Sequence, residues 1–492
     1  MKQNLVHFSQ RVSLIAVFIV VGALHIALGQ TKPERIDGLM KLYSEYGQFN
    51  GTVLVAEQGK VIYKQGFGLA NMEWDIPNQP DTKFRLGSIT KQFTSMMILQ
   101  LVQQGKLKLD GKITEYLPDY PHKTGDKITI HHLLTHTSGI PGYTEFPNFF
   151  RDMSRNPSSP EAFVKLFADS ALLFEPGAKF SYSNSGYFLL GVIIEKITGK
   201  PYEQVLQENI LGPLNMNSTG YDHHSAILKK RASGYEKDGG SYINAAYLDM
   251  SLPYSAGALY STVEDLYLWD QALYTDRLLP KKTRDLLFAP YIPAFGGGYG
   301  YGWGIAKVPI GQSSDSVMVI EHGGGINGFN TLISRIPSEQ DLVVLLNNTG
   351  AARLAAISRA IRGILYDKPY DLPKRSIADA VLAAIMEHGI ASGLEQYNDL
   401  KQNHADTYAL HEGEMNAAGY RLLQVNKVKE AIEVFKLNVD AFPKSSNVYD
   451  SLGEAYMVDG DKELAIKNYQ KSVELDPNNL NGIKALKRLE AK

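Results

Sequence analysis

The chain has 492 residues and 44% hydrophobic content, enough for a large core and for about two to four domains. The formal net charge is −2, and no basic block or basic-aromatic stripe occurs, which argues against a nucleic-acid partner. There are no cysteines, so disulfides, thiolate metal sites, a cysteine nucleophile and a lipid-modified cysteine are all excluded.

Residues 1–30 read MKQNLVHFSQRVSLIAVFIVVGALHIALGQ. Lys2 and Arg11 precede an apolar run from Val12 to Leu28, and Ala27-Leu28-Gly29 closes it with mostly small residues. This is the pattern of a secretory signal over 1–29. It predicts an exported, periplasmic or extracellular protein with no membrane span once the signal is cleaved. The alternative is a retained anchor. The run is close to the lower limit for a spanning helix, and Gly22 and His25 weaken it.

A helix is predicted over Pro33 to Tyr46, followed by two apolar strands within 51–71 joined at Gly59-Lys60. GSITKQF (87–93) then opens a helix with almost no polar face, because Ile89, Phe93, Met96, Met97, Ile98, Leu99, Leu101 and Val102 cover it all round. Residues 110–160 are rich in Pro, Gly, His and Thr and read as loop with short helices. Helices are predicted over Pro160 to Leu173, Tyr187 to Thr198 and Gly257 to Tyr274. From Gly296 four short strand-like runs follow (GGGYGYGWGI, SVMVIEHGGG, FNTLISRI, DLVVLLNN), which suggests an antiparallel sheet. Strands at both ends with helices between predict one mixed α+β domain over 33–365, its sheet drawn from both ends of that stretch.

The C-terminal stretch repeats. Gly419 and Gly453, Ala431 and Ala465, Phe435 and Tyr469, and Pro443 and Pro477 are each 34 residues apart. That is the period of a tetratricopeptide repeat, a helix pair crossing closely at a small residue. Residues 406–492 are assigned to such repeats, and 366–405 to a linker or a diverged helical repeat. The concave face of these repeats commonly binds peptides, so a protein or peptide partner is expected there.

Three stretches carry candidate chemistry. Ser88 and Lys91 share a helix face at i, i+3. A lysine on so apolar a helix is buried, its pKa falls, and it can take a proton from the serine. Before the next long helix, Tyr182-Ser183-Asn184 offers two polar side chains to one cleft; a turn with an Asn cap would read the same way. VMVIEHGGGINGF (317–329) is an apolar strand leading to His322 and three glycines, which allow close substrate approach and expose backbone N–H groups. A glycine-rich hairpin with a surface histidine is the plainer reading of it.

Taken together and in this order, the three resemble the serine β-lactamase and penicillin-binding superfamily, in the branch of class C β-lactamases, D-peptidases and esterases. LLTHTSGIPGY (133–143), FEPGAKFSYSNSGYFLLGVIIEKITGKPY (174–202) and SAGALYSTVEDLYLW (255–269) look like stretches of the same branch, and the resemblance covers roughly residues 35–350. It implies a transpeptidase-like domain, an antiparallel sheet flanked by helices with a helical subdomain, ahead of an all-α repeat domain. It implies Ser88 as nucleophile, Lys91 and Tyr182 sharing the proton traffic with either as the base, and Asn184, His322 and Gly324 at the substrate. The oxyanion hole would be the backbone N–H groups of Ser88 and Gly325. No cofactor and no metal are implied.

The literal Lys-Thr-Gly at Lys123-Thr124-Gly125 lies in the wrong place in the chain, and His322-Gly323-Gly324 is taken as its counterpart. Histidine there resembles D-aminopeptidase and esterase members. It removes the permanent charge that would pair with the carboxylate of a β-lactam or a D-Ala-D-Ala peptide. Other motifs fail. No Gly-x-Ser-x-Gly elbow exists, Gly323 to Gly328 is followed by strand rather than helix, and His131, His132 and His136 lack a carboxylate at ligand spacing. The expected activity is that of a serine hydrolase forming an acyl-enzyme on ester, D-amino-acid peptide or β-lactam-like substrates. The alternative is a penicillin-recognising sensor with little turnover, whose repeats recruit a partner.

Overall fold

The structure is a computed structural model that describes residues 29–238, 241–350 and 352–491. The expected signal segment lies, apart from Gly29, outside the described residues. Among those residues, no helix is long and apolar enough to cross a membrane.

The chain forms two compact units. One takes the chain up to Gly234 and again from Ala246 to Leu372; the other takes Tyr235–Ala245 and Pro373–Lys492. The stretch 33–365, read from sequence as continuous, is thus interrupted by an eleven-residue excursion, 235–245.

The first unit is built on an eight-stranded antiparallel sheet. Helix α1 (Lys32–Glu45) starts at Thr31, whose hydroxyl accepts from the Glu34 N–H while the Glu34 side chain reaches back to cap the Thr31 N–H. Strands β1 (Gly51–Glu57) and β2 (Lys60–Phe67) form the expected hairpin. The others come late in the chain: β3 (Ile292–Ala294), β4 (Gly297–Tyr299), β5 (Gly304–Pro309), β6 (Ser316–Ile326), β7 (Phe329–Ile336) and β8 (Asp341–Asn347). Their order is β3-β4-β5-β6-β7-β8-β1-β2. The two ends of the unit meet where β1 pairs with β8, Val53 opposite Leu345 and Val55 opposite Val343.

β1 is apolar along its length because both faces of the sheet are covered. Val53 and Val55 pack with α1 and with helix α2 (Leu354–Leu365), whereas Leu54 and Ala56 join the larger core on the opposite face. That larger core holds the helix Thr90–Gln103, buried from Thr90 through Leu101, and the helix Asn184–Thr198. The latter is capped by the Ser183 hydroxyl and ends at Gly199 in the left-handed region.

Two expected helices differ. The one predicted over Pro160 to Leu173 is regular only over Pro160–Val164. Beyond it the chain tightens, with the Leu166 and Phe167 N–H groups donating three residues back while Phe163, Phe167 and Ala168 stay buried. The one predicted from Gly257 begins only at Val263, because Leu259–Ser261 is drawn into a small sheet between Phe84–Arg85 and Gly220–Tyr221.

The second unit is helical. It contains α3 (Ile377–His388), α4 (Ile390–Asn403), α5 (Glu412–Gln424), α6 (Val428–Ala441), α7 (Ser446–Asp459), α8 (Lys462–Leu475) and α9 (Leu480–Glu490). The repeat logic is visible at the helix crossings. A Cβ on Gly419 would lie 2.5 Å from the Phe435 ring, and one on Gly453 would lie 3.1 Å from the Tyr469 ring. The excursion forms a hairpin, Tyr235–Asp238 with Ser241–Asn244. It is tied within this unit by Lys237 to Asp379 at 2.6 Å and by Arg421 to Asp238 at 2.9 Å.

Candidate active site

Ser88 lies in a single 3-10 turn, Gly87–Ile89, that feeds the buried helix Thr90–Gln103. Gly87 adopts a left-handed conformation (φ +55°), and a Cβ there would sit 3.0 Å from the backbone of Gly325. Only glycine lets the Ser88 turn and strand β6 approach so closely. Gly302, also left-handed, does the same for the loop before β5, where a Cβ would meet the Lys91 backbone at 3.0 Å. The Ser88 backbone is thereby held against the glycines of β6, with the side chain half-buried at the floor of a cleft of about 480 Å³.

Lys91 sits one turn into the helix with none of its surface exposed. Its Nζ is 3.0 Å from Ser88 Oγ, 2.8 Å from Asn184 Oδ1 and 2.8 Å from the Ala256 carbonyl. Among the described residues no salt bridge is made by Lys91, and burial holds its pKa well below the usual lysine range. Asn184 is oriented from its other end, its Nδ2 donating to Thr144 Oγ1 at 3.2 Å.

Tyr182 leans over the lysine, Nζ lying 4.9 Å from its ring centroid. Burial raises the pKa of the phenol, opposed by a hydrogen bond with Ser88. The hydroxyl therefore keeps its proton at neutral pH.

His322 and Gly323 line the cleft with Ser88 and Tyr182. His322 is 9% exposed, its Nε2 3.0 Å from the Tyr299 hydroxyl and its Nδ1 2.6 Å from the Gly323 carbonyl. Burial, then the nearby Lys91, push its pKa down to about 4. Gly324, expected at the substrate, is instead buried. A Cβ there would lie 1.8 Å from the Leu86 carbonyl, which also accepts from Thr331 Oγ1. Gly324 shares the strand face of His322 but packs against the Ser88 turn, whereas Gly323 lines the cleft. The remaining wall is mostly apolar, with Ala294, Phe295, Tyr299, Ile305 and Ala306, and it also includes the acidic Glu321. Phe295, at the tip of the β3–β4 turn, is 71% exposed and packs edge-on to Phe180, with ring centroids 5.3 Å apart.

The other sequence candidates are dispersed. Lys123 is exposed on the short helix His122–Gly125. His131 pairs with the Tyr301 hydroxyl at 2.7 Å, and His132 caps its own helix start at the Thr129 N–H. Among the described residues no group of histidines and carboxylates could hold a metal. His136 is the exception, since it reaches the site through Tyr299. Sequence reasoning missed Tyr299, Thr144 and the Ala256 carbonyl. Tyr299 sits in a run of glycines and aromatics with no motif of its own, and a backbone carbonyl leaves no trace in sequence.

Residues 35–365 match the family model described as Beta-lactamase, and 446–479 match that of the tetratricopeptide repeat. The chain is 31% identical over 372 residues to penicillin-binding protein 4* of Bacillus subtilis, covering 70% of this chain and 79% of the relative. Among solved structures, a penicillin-binding protein from Bacillus halodurans is 29% identical with a TM-score of 0.58, covering 65% of this chain and 98% of the other. A D-stereospecific amidohydrolase from Streptomyces sp. is 27% identical with a TM-score of 0.55, covering 65% and 97%.

Proposed function

This chain belongs to the β-lactamase family, and from that premise we propose that it is a serine hydrolase acting on esters and amides through an acyl-enzyme on Ser88. The observation that carries the proposal is the set of neighbours around Lys91 Nζ. The Asn184 oxygen and the Ala256 carbonyl can only accept. A neutral amine has two N–H groups and one lone pair. The two N–H groups go to those acceptors, and the lone pair faces Ser88, whose O–H donates to it.

Acylation then runs from these atoms. Ser88 Oγ attacks the carbonyl carbon, its proton passes to Lys91, and the carbonyl oxygen becomes an oxyanion held by the Ser88 and Gly325 N–H groups. Loss of one such donor typically costs about two to three powers of ten in rate. When the C–O or C–N bond breaks, the leaving group takes its proton from the Tyr182 hydroxyl, and the Lys91 ammonium returns one to Tyr182. Water attacks the ester in the second half with the proton path reversed. A phenol held protonated by burial supports a relay role for Tyr182 and leaves Lys91 as the base.

The substrates are esters and amides of D-amino acids ahead of β-lactams. The mostly apolar cleft, the uncharged His322 and the D-stereospecific relative support that order. The tetratricopeptide repeat supports a peptide or protein partner for the second unit. The test is wild type against Ser88→Ala on a chromogenic ester of an N-acylated D-amino acid, with intact-mass detection of the adduct. An adduct and turnover in wild type alone are expected. Equal hydrolysis by both proteins overturns the assignment, and a stoichiometric adduct without turnover on esters, D-peptides and β-lactams favours a penicillin-recognising sensor.

A further inference from the structure

His322 ends a chain of hydrogen bonds whose direction is set at both ends by backbone groups. At one end the Ser183 N–H donates to His136 Nδ1 at 3.1 Å. A neutral His136 therefore carries its proton on Nε2, 3.2 Å from the Tyr299 hydroxyl, and donates there. At the other end His322 Nδ1 is 2.6 Å from the Gly323 carbonyl. A bare nitrogen cannot face a carbonyl oxygen at that distance, so Nδ1 bears the proton. In the neutral ring Nε2 is then an acceptor, and Tyr299 is the donor 3.0 Å away.

We propose, resting on the reading of Ser88 as nucleophile, that His136 and Tyr299 are positioning residues that lock His322 as the neutral Nδ1–H tautomer. The cleft then discriminates against substrates bearing a free carboxylate beside His322. Neither ring nitrogen is left for the substrate, and no lysine or arginine lines the cleft among the described residues. A carboxylate placed there meets an uncharged ring, the apolar Ile305, Ala306 and Phe295 and the acidic Glu321, with no cationic side chain in the lining to offset its lost hydration. An ester or carboxamide at the same position has no such charge to desolvate.

Protonation of His322 is opposed by its burial, and by Lys91 whenever that amine carries a proton, while the Gly323 carbonyl favours it. Lys91 faces it from the buried helix, His136 from its loop through Tyr299, and Tyr182 at 6.3 Å between ring centroids from the loop before the next helix. A proton on Nε2 would turn the Tyr299 O–H away from His322 and leave the Tyr299 oxygen accepting from both histidines. The Tyr187 phenol, also turned toward Tyr299, already donates to the Leu134 carbonyl. His136 is itself buried and in the left-handed region (φ +57°), an uncommon conformation that persists only where the surroundings enforce it.

The experiment is ¹⁵N-histidine NMR of the full chain from pH 7.5 to 5.0, with His322 assigned by the signal lost in His322→Asn. It is paired with kcat/KM for an N-acetyl-D-dipeptide ending in carboxylate and for its carboxamide. In wild type, His322 should show one Nδ1–H tautomer without titrating, and the carboxamide should be preferred by at least roughly tenfold across the range. Tyr299→Phe removes only the donor. His322 should then titrate within the range, and the preference should fall by roughly tenfold toward pH 5. A wild-type His322 that is cationic at neutral pH, or that bears its proton on Nε2, overturns the proposal, as does an unchanged spectrum and ratio in Tyr299→Phe. The NMR result does not depend on turnover, so loss of the serine assignment would be seen separately in the Ser88→Ala adduct assay.

Discussion

An amine with two fixed acceptors and one hydroxyl neighbour has a single neutral arrangement, and Lys91 is in that position. Its base form persists at pH values far below the usual lysine range because burial disfavours the ammonium. The sign follows: as pH falls through the lowered pKa, Lys91 gains its proton, can no longer accept from Ser88, and acylation is lost. The pre-steady-state burst on a chromogenic ester should therefore fall with a slope of one on the acid side of that lowered pKa. Lys91→Ala should cut the burst rate by about three powers of ten; an unchanged rate would remove Lys91 from the proton path. Tyr182 separates from Lys91 by leaving group. If its hydroxyl protonates the departing atom, Tyr182→Phe should slow a D-amino-acid anilide by about two powers of ten or more, and a p-nitrophenyl ester, whose leaving group departs without a proton, far less. Ser88 with Lys91, and Tyr182 with Asn184, were legible because each pair is close in sequence at the start of a helix. The His136–Tyr299 pair was not, because its partners are 163 residues apart and a hydrogen-bonded imidazole leaves no spacing rule.

At the scale of elements, long segments of one period were readable, and segments claimed by a neighbour were not. The buried helix after Ser88 and the hairpin 51–71 follow from apolar pattern alone. Leu259–Ser261 carries a helical pattern too, yet two flanking strands recruit it by backbone pairing, a tertiary choice that local sequence does not encode. The glycine strand β6 shows the same division within three residues. All three glycines look equivalent in sequence, but a Cβ would meet Leu86 O at 1.8 Å from Gly324, Thr331 O at 3.5 Å from Gly323, and nothing within 4 Å from Gly325. Gly324→Ala must push β6 away from the Ser88 turn and should destabilise the unit by about 2 kcal/mol or more and abolish the acyl adduct. Gly325→Ala should melt within a few degrees of wild type. Thermal unfolding followed by circular dichroism checks both, and equal melting temperatures would mean that β6 is not held by the Leu86 contact.

The whole chain crosses between its two units more often than a bead-on-string reading implies. The hairpin 235–245 leaves the hydrolase stretch in sequence but belongs to the helical unit, where Asp379 and Arg421 grip Lys237 and Asp238. Nothing in its own residues announces this, since an isolated two-stranded hairpin has no core of its own and is marginal in water. Every candidate catalytic side chain, by contrast, lies in the first unit, whose two buried clusters draw no residue from the second among the described residues. A chain ending at Leu372 should therefore still form the Ser88 adduct, at a rate within a few-fold of the full chain. Its hairpin, without Asp379 and Arg421, should lose ordered pairing and open to protease, because cleavage follows the population of the locally unfolded segment. Brief trypsin digestion read by mass spectrometry should cut after Lys237 in the truncated chain and spare that bond in the full one. Equal protection in both would show that the hairpin does not depend on the helical unit, and an equal cut in both would show that the Lys237–Asp379 and Arg421–Asp238 pairs do not hold it.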